Sequence, residues 1–355
     1  MSEFNLDLLK KLCETPGVSG REGRIAAIVR DELRPISDEI TVDSLGNVTG
    51  IHKGSGGPRV MLAGHTDEIG FLVSHIDELG FLRVQPIGGF DMTVLPAQRV
   101  MVWDRSGNAH RGAFMVSVKP AHLLDGSENL KLKTSDLFID LGMTADRVRA
   151  TVTLGDMVTM DRTLEVVGDS VMTKSLDDRV GVFVMIEALR KAQNAKAEIH
   201  AVATTQEEVG LRGARVAGYT SDPDISIAID ITLALDFPGM RPQEYVTELG
   251  KGAALKYFDS SVISNHKLVD HFRDLAEANG IPYQYEFLPR GGTDAGATVL
   301  ARGGNAAFTL SIPTRYAHTV NEMARIADIQ ACIDLLAAFL NDAGSRSYEI
   351  VDVGN

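Results

Sequence analysis

Residues 204–210 read Thr-Thr-Gln-Glu-Glu-Val-Gly, two adjacent carboxylates that end an apolar run and are followed at once by a glycine. Companion groups stand elsewhere in the chain. Upstream are Gly64-His65-Thr66-Asp67-Glu68 and Lys174-Ser175-Leu176-Asp177-Asp178-Arg179; downstream are Ile229-Asp230 and Arg315-Tyr316-Ala317-His318. Each closes or follows an apolar segment, where an α/β sheet opens its binding crevice. Two imidazoles and several carboxylates converging there describe a site for two divalent cations. Such ions take carboxylate oxygen and imidazole nitrogen in preference to the soft thiolates that this chain, with two cysteines, barely has. Two ions ~3.5–4 Å apart share a bridging carboxylate and a bridging water whose pKa falls towards neutrality. The site then needs one bridging Asp, further ligands for each ion and an unligated base.

Each residue also has a plainer reading. His65 follows the apolar run Val60–Gly64, and a histidine alone at a strand end is usually just a hydrogen-bonded group; beside the other motifs it reads as a ligand. Asp67, two residues on, points the same way in extended chain and is placed to accept the second ring N–H of His65. Asp177 and Asp178 precede a helix carrying Val182, Val184, Met185, Ile186 and Leu189, so capping is expected there too, one Asp capping while the other binds metal. Glu207 and Glu208 would face opposite ways on a regular strand, and both enter one site only where the chain bends, as Gly210 and Gly213 permit. The pair divides naturally into ligand and general base. Asp230 lies inside Ile225–Ile231, where a lone carboxylate is costly to bury and needs a partner. His318 follows the strand expected at 306–312. The other seven histidines occupy no corresponding positions, and most read as surface or structural.

The elements that must position these groups fall into two kinds. Helices are expected at 4–12, from a Ser19/Glu22 capping box to Leu33, and at 178–192, 213–218, 265–279, 294–301 and 325–341. Strands are expected at 39–43, 47–52, 59–64, 198–205, 225–231, 283–287 and 306–312. Between about 68 and 164 the pattern changes to short β-type runs broken by glycine and proline, at 71–75, 81–86, 99–103, 113–118, 151–154 and 157–160. The simplest account is one α/β domain built from residues 1–67 and 165–355, with a β-rich, barrel-like domain of residues 68–164 inserted. At 355 residues the chain is long enough for two such domains. Its net charge of −13, with no basic stripe, argues against nucleic acid. No stretch approaches the ~20 apolar residues of a membrane span, the N-terminus lacks a signal-peptide pattern, and two lone cysteines suit a reducing cytoplasm.

Taken together these motifs resemble the dinuclear metallo-aminopeptidases of the tetrahedral-aminopeptidase and glutamyl-aminopeptidase family, over nearly the whole chain. The resemblance rests on Pro16–Glu22, His65–Gly70, Lys174–Arg179 with Gly181, Gln206–Gly210 with Arg212–Ala214, and Arg315–His318. Pro120-Ala121-His122, Phe138–Gly142, Leu249–Gly252 and Gly291–Ala295 add to it. It implies a mixed-sheet α/β co-catalytic metallopeptidase domain, a β-rich dimerisation insert, and assembly into a hollow tetrahedral dodecamer. It implies that Asp177 bridges two divalent ions, with His65 and Asp230 on one, Glu208 and His318 on the other. Zinc fits first, with cobalt and manganese also suited. Glu207 would be the general base, Asp67 the partner of His65, and the Asp177–Asp178 peptide cis. Thr293, Asp294 and His122 are candidate substrate contacts. Relatives often have Gly-Asp-Thr-Pro-Gly where this chain has Leu235-Asp236-Phe237-Pro238-Gly239, a segment placed near the substrate. The expected activity is removal of N-terminal residues from short peptides. Rival readings are a deacylase or carboxypeptidase of the same clan, a glucanase-type hydrolase, which one Trp and 6% aromatics would serve poorly, and a non-catalytic assembly protein.

Overall fold

The computed structural model describes residues 4–117 and 132–351; His122 lies outside them. The chain opens with α1 (Leu6–Glu14) and α2 (Gly23–Leu33), then β1 (Glu39–Val42), β2 (Val48–His52) and β3 (Arg59–His65). After an excursion through a barrel it returns with β10 (Glu165–Val167), β11 (Ser170–Thr173), α4 (Leu176–Lys191), β12 (Glu198–Thr204), α5 (Arg212–Ser221) and β13 (Ile225–Leu233). It ends with β14 (Ala253–Phe258), α6 (His266–Asn279), β15 (Tyr283–Phe287), α7 (Ala295–Thr298), β16 (Ala306–Arg315), β17 (Glu322–Arg325) and α8 (Ile326–Asp342). Eleven of these strands form one mixed sheet in the order β1-β2-β12-β3-β13-β16-β17-β11-β10, with β14 joined to β16 and β15 to β14.

The four central strands β12, β3, β13 and β16 are parallel and buried on both faces, which is why they read as continuous apolar runs. Alternate residues enter different cores. Val60, Leu62, Ile199, Ile227 and Ile229 face the large cluster under α1, α4 and α8. Met61, Ala63 and Val202 pack with Ala217 of α5 on the other face, and Ala228 and Ala307 pack with Ala295 of α7. The small residues on that second face let the two short helices lie close to the sheet.

The excursion between β3 and β10 contains β4 (Gly70–Ile76), β5 (Leu82–Ile87), β6 (Arg99–Trp103), β7 (Ala109–Val116), β8 (Leu137–Asp140) and β9 (Met157–Met160). They close an antiparallel barrel in the order β4-β5-β8-β7-β6-β9 around Phe71, Val84, Val100, Val102, Phe114, Ile139 and Val158. The mixed α/β sheet with an inserted barrel is therefore as expected. One barrel assignment is not. Residues 151–154 form no strand; Thr151 ends a helix, α3 (Ala145–Thr151), and its hydroxyl donates to the Arg147 carbonyl at 2.7 Å. Val148 and Val152, four apart, both reach the barrel core, a helical spacing that the β-branched composition of the segment masks.

The expected capping box is also absent. α2 begins after Glu22 with no side-chain cap bond. Ser19 donates instead to Asp67 Oδ2 at 2.6 Å, and Glu22 Oε1 accepts from the main-chain N–H groups of Gly20 (2.7 Å) and Gln206 (3.2 Å). Cys13 and Cys332 are free thiols, both buried. Among the described residues, no helix is long and apolar enough to cross a membrane.

Candidate metal centre

Register brings the motifs to one edge of the sheet. Thr204 of β12 pairs with His65 of β3, and Ala228 of β13 pairs with Ala63, so Asp230 and His65 stand two residues further along neighbouring strands. α4 then delivers Asp177 at the same level. His65 Nε2 lies 3.0 Å from Asp177 Oδ1, and His318 Nε2 lies 3.2 Å from Asp177 Oδ2, so one carboxylate stands between two imidazoles. Two groups of three could each hold a metal ion: His65, Asp177 and Asp230, and Asp177, Glu208 and His318. Within each group the ligand atoms lie within 4.8 Å of one another. Glu208 Oε1 is buried with no hydrogen-bond partner among the described residues, a polar oxygen left for a cation.

The electrostatics say the same. Burial drives the carboxyl of Asp230 well above its ordinary pKa, and Asp177 adds to this. Burial pushes Glu208 up to about 7, and it drives Glu207 well above the carboxylate range against the pull of His65. Asp177 goes the other way: burial opposes ionisation, but hydrogen bonds with His318 and His65 hold its pKa far down. His318, despite burial, is raised to about 10 by Asp177 and Glu208. A cluster this acidic requires positive charge, and its oxygen and imidazole donors fit hard or borderline divalent ions.

Supporting contacts fix each group. The ring N–H side of His65, Nδ1, meets the Asp67 main-chain carbonyl at 3.0 Å, while the Asp67 carboxylate stands at 3.5 Å. Asp67 thus faces the same ring nitrogen with both its carbonyl and its carboxylate. The Asp67 oxygens also accept from the Ser19 hydroxyl and from the main-chain N–H groups of Glu207 (3.0 Å) and Glu208 (3.2 Å). Asp178 is the capping aspartate: Oδ1 accepts from Gly181 N–H and Oδ2 from His65 N–H, each at 3.0 Å. The Asp177–Asp178 peptide is cis. A side chain at position 181 would collide with the Asp178 carboxylate and the Ile229 carbonyl, so glycine is needed there.

The bend that turns both glutamates inward is also held. Asn47 accepts from Thr205 N–H at 2.9 Å and donates to the Gly213 carbonyl at 3.0 Å. A Cβ at Gly213 would overlap Asn47 and the Thr205 backbone. Glu322 is a support the sequence reading missed: its carboxylate accepts from His318 N–H (2.8 Å) and Asp177 N–H (3.1 Å). Asp236, expected near the substrate, forms a fork with Arg315, at 3.0 Å to Nε and 2.6 Å to the terminal nitrogen, and so anchors the loop that carries His318.

The cluster opens into a cleft of about 380 Å³. Glu207 lines it with its carboxylate 3.9 Å from His65 Nε2, close to the ligands without joining either group. Thr293 lines it as well, its hydroxyl 2.9 Å from that of Thr309. Asp294 does not: it is 2% exposed, accepts from the Thr204 hydroxyl and keeps Oδ1 without a partner among the described residues. Leu233, Lys256, Leu288 and Arg290 complete the walls. None was anticipated, although Arg290 adjoins the Gly291-Gly292-Thr293 run singled out in the sequence.

Two candidate metal-binding groups that share Asp177, with Glu207 beside them on the same cleft, suit metal-assisted hydrolysis. Comparison with known proteins gives the family. The family model of M42 glutamyl aminopeptidases matches residues 46–335. The chain is 38% identical over 345 residues to a lysyl aminopeptidase of Pyrococcus furiosus, covering 95% of this chain and 96% of the relative. An aminopeptidase structure from the archaeon Desulfurococcus kamchatkensis superposes with a TM-score of 0.93 at 37% identity, over 98% of both chains. The TET1 peptidase of Pyrococcus horikoshii, which can assemble into a tetrahedron or a large octahedral shell, gives 0.84 at 30% identity over 94% of this chain and 98% of that one. The chain belongs to the M42 glutamyl aminopeptidase family. It is a metallo-aminopeptidase, a hydrolase of peptide bonds.

Proposed function

We propose that the chain removes N-terminal residues from short peptides, with Asp177 shared between two divalent ions, His65 and Asp230 completing one site, and Glu208 and His318 the other. The observation that carries this reading is that both candidate clusters share Asp177 and open, beside Glu207, on a single cleft. Bound ions would polarise the scissile carbonyl and lower the pKa of water. Glu207 is the general base: its buried carboxyl holds a proton more readily than an ordinary glutamate, which suits accepting one from the attacking water and passing it to the departing amine. Asp67 supports it by holding the main chain of both glutamates. Thr293 stands on the substrate side of the cleft. Zinc is the proposed resident ion, with cobalt and manganese as the alternatives that the same donors accept.

Residues 1–67 and 165–355 make up the catalytic domain in this reading, and residues 68–164 the dimerisation domain of a cytoplasmic, tetrahedral dodecamer. Light scattering that finds a monomer would rule the assembly out. The activity is tested with Glu207→Gln on a panel of aminoacyl-p-nitroanilides and N-blocked peptides, each with zinc, cobalt or manganese. The variant should keep its metals and lose turnover by several orders of magnitude, and only free-amine substrates should be cleaved by the wild type. Near-normal activity of the variant sinks the assignment of the base, and preferential cleavage of blocked peptides sinks the aminopeptidase specificity.

A further inference from the structure

The loop Pro16–Glu22 leaves α1 and runs beside the segment that follows β3. Gly17 and Glu68 lock the two together: Glu68 N–H donates to the Gly17 carbonyl at 2.9 Å, and Glu68 Oε1 accepts from Gly17 N–H at 3.0 Å. This brings two side chains of the loop to the back of the turn that carries Glu207. Three successive main-chain N–H groups of that turn end on carboxylates. Gln206 donates to Glu22 Oε1 at 3.2 Å, Glu207 to Asp67 Oδ1 at 3.0 Å and Glu208 to Asp67 Oδ2 at 3.2 Å. Gln206 has a left-handed backbone (φ 56°), which aims consecutive N–H groups into one concave nest. Asp67 is fully buried and Glu22 nearly so, and neither lines the cleft. The shortest bond in the set is the Ser19 hydroxyl to Asp67 Oδ2, at 2.6 Å.

We propose that Ser19 and Glu22 are positioning residues for catalysis, fixing the Gln206–Glu208 turn so that Glu207 stays aimed at the reacting water. The proposal rests on Glu207 being the general base. Charge-assisted bonds to main-chain N–H groups are strong and directional, so the two carboxylates set where the turn sits. The Ser19 hydroxyl sets the rotation of Asp67. Without it the Asp67 carboxylate is free to turn, and the N–H groups of Glu207 and Glu208 lose their common acceptor. Glu208 is the one proposed ligand on this turn, and Asp177 and His318 remain to hold its ion, while His65 keeps the Asp67 main-chain carbonyl and Asp230 comes from another strand. The consequence therefore falls on turnover.

Ser19→Ala, Ser19→Thr and Glu22→Ala in the full-length chain provide the test. Each is assayed for kcat and KM, for metal per subunit and for melting temperature, next to Glu207→Gln. Ser19→Ala and Glu22→Ala should each lower kcat roughly 10- to 100-fold, the scale of a small misplacement of a catalytic group. KM and metal content should stay near wild type, any fall in melting temperature should leave the protein fully folded at the assay temperature, and Ser19→Thr, which keeps a hydroxyl, should recover most of the loss. A kcat of Ser19→Ala within twofold of wild type overturns the proposal. So does a loss of kcat that comes with loss of metal or of folded protein. If Glu207→Gln retains turnover, the base assignment itself fails and the positioning role goes with it; if only the Ser19 and Glu22 variants stay active, the base stands and the positioning role alone is rejected.

Discussion

Asp177 differs from every other acidic residue of the centre in facing two imidazoles at once, with one oxygen for each. Asp230 and Glu208 each belong to a single cluster, and Glu207 to neither. Asp177→Asn should therefore lower occupancy of both ions together, whereas Asp230→Ala should affect chiefly one. Metal analysis of purified protein after dialysis against limiting zinc separates these outcomes. Retention of two ions by the Asp177 variant would show that the aspartate is not shared. The geometry explains why so much of this centre was readable from the chain. Metal-ligating residues must end strands or begin helices at one sheet edge, and such places show in a sequence as a polar residue closing an apolar run. The proposed ligands His65, Asp177 and Glu208 carry that mark, and Asp230 shows instead as a lone carboxylate inside an apolar strand. The supports of the centre do not. Ser19 and Glu22 have the spacing of a local cap, yet their partners lie 48 and 184 positions away, and Glu322 sits in a four-residue strand with no distinguishing pattern.

At the scale of elements, a buried charge network ties α1, the end of β3 and the start of α4. Glu68 Oε2 accepts from Lys174 Nζ and the Ser175 hydroxyl, each at 2.6 Å, and Arg179, fully buried, donates to the carbonyls of Leu12 (2.5 Å) and Thr15 (2.8 Å). Burial raises the Glu68 pKa, but Lys174 and Arg179 outweigh it and hold the carboxyl below its ordinary value of 4.5. The unfolded chain therefore binds this proton first, so the contribution of Glu68 is fully present above about pH 4.5 and is lost as pH falls through the lower folded value. Glu68→Gln should destabilise the protein by about 3–5 kcal/mol, since Lys174 is left buried without its counter-charge. It should also flatten the acid limb of the stability curve, measured by urea unfolding from pH 3 to 7. An unchanged acid limb would place the pH dependence elsewhere. The strands that escaped the sequence reading are too short to show a period or hold their place only through distant pairing. β10, β11 and β17 are three or four residues long, and β14 gains its place by pairing with both β15 and β16. α3 escaped for a different reason, because its Thr and Val content resembles a strand until the barrel claims Val148 and Val152 together.

For the molecule as a whole, the important feature is where the five proposed ligands come from. They span residues 65 to 318 and arrive from β3, α4, the turn after β12, β13 and the loop between β16 and β17. No two lie close enough in sequence to chelate before the sheet is built, so a denatured chain offers the ions nothing comparable. Occupancy must then add to the free energy of unfolding through mass action, by about 2.7 kcal/mol per site at a hundredfold excess over Kd. Calorimetric scans with and without a chelator should differ by several degrees, and the difference should widen with free zinc concentration. Coincident scans would mean that the ions bind too weakly to matter for folding. In a hot or metal-starved cell the same coupling would make trace-element supply a determinant of how long each copy survives, with starved copies lost to proteolysis before they ever meet a peptide.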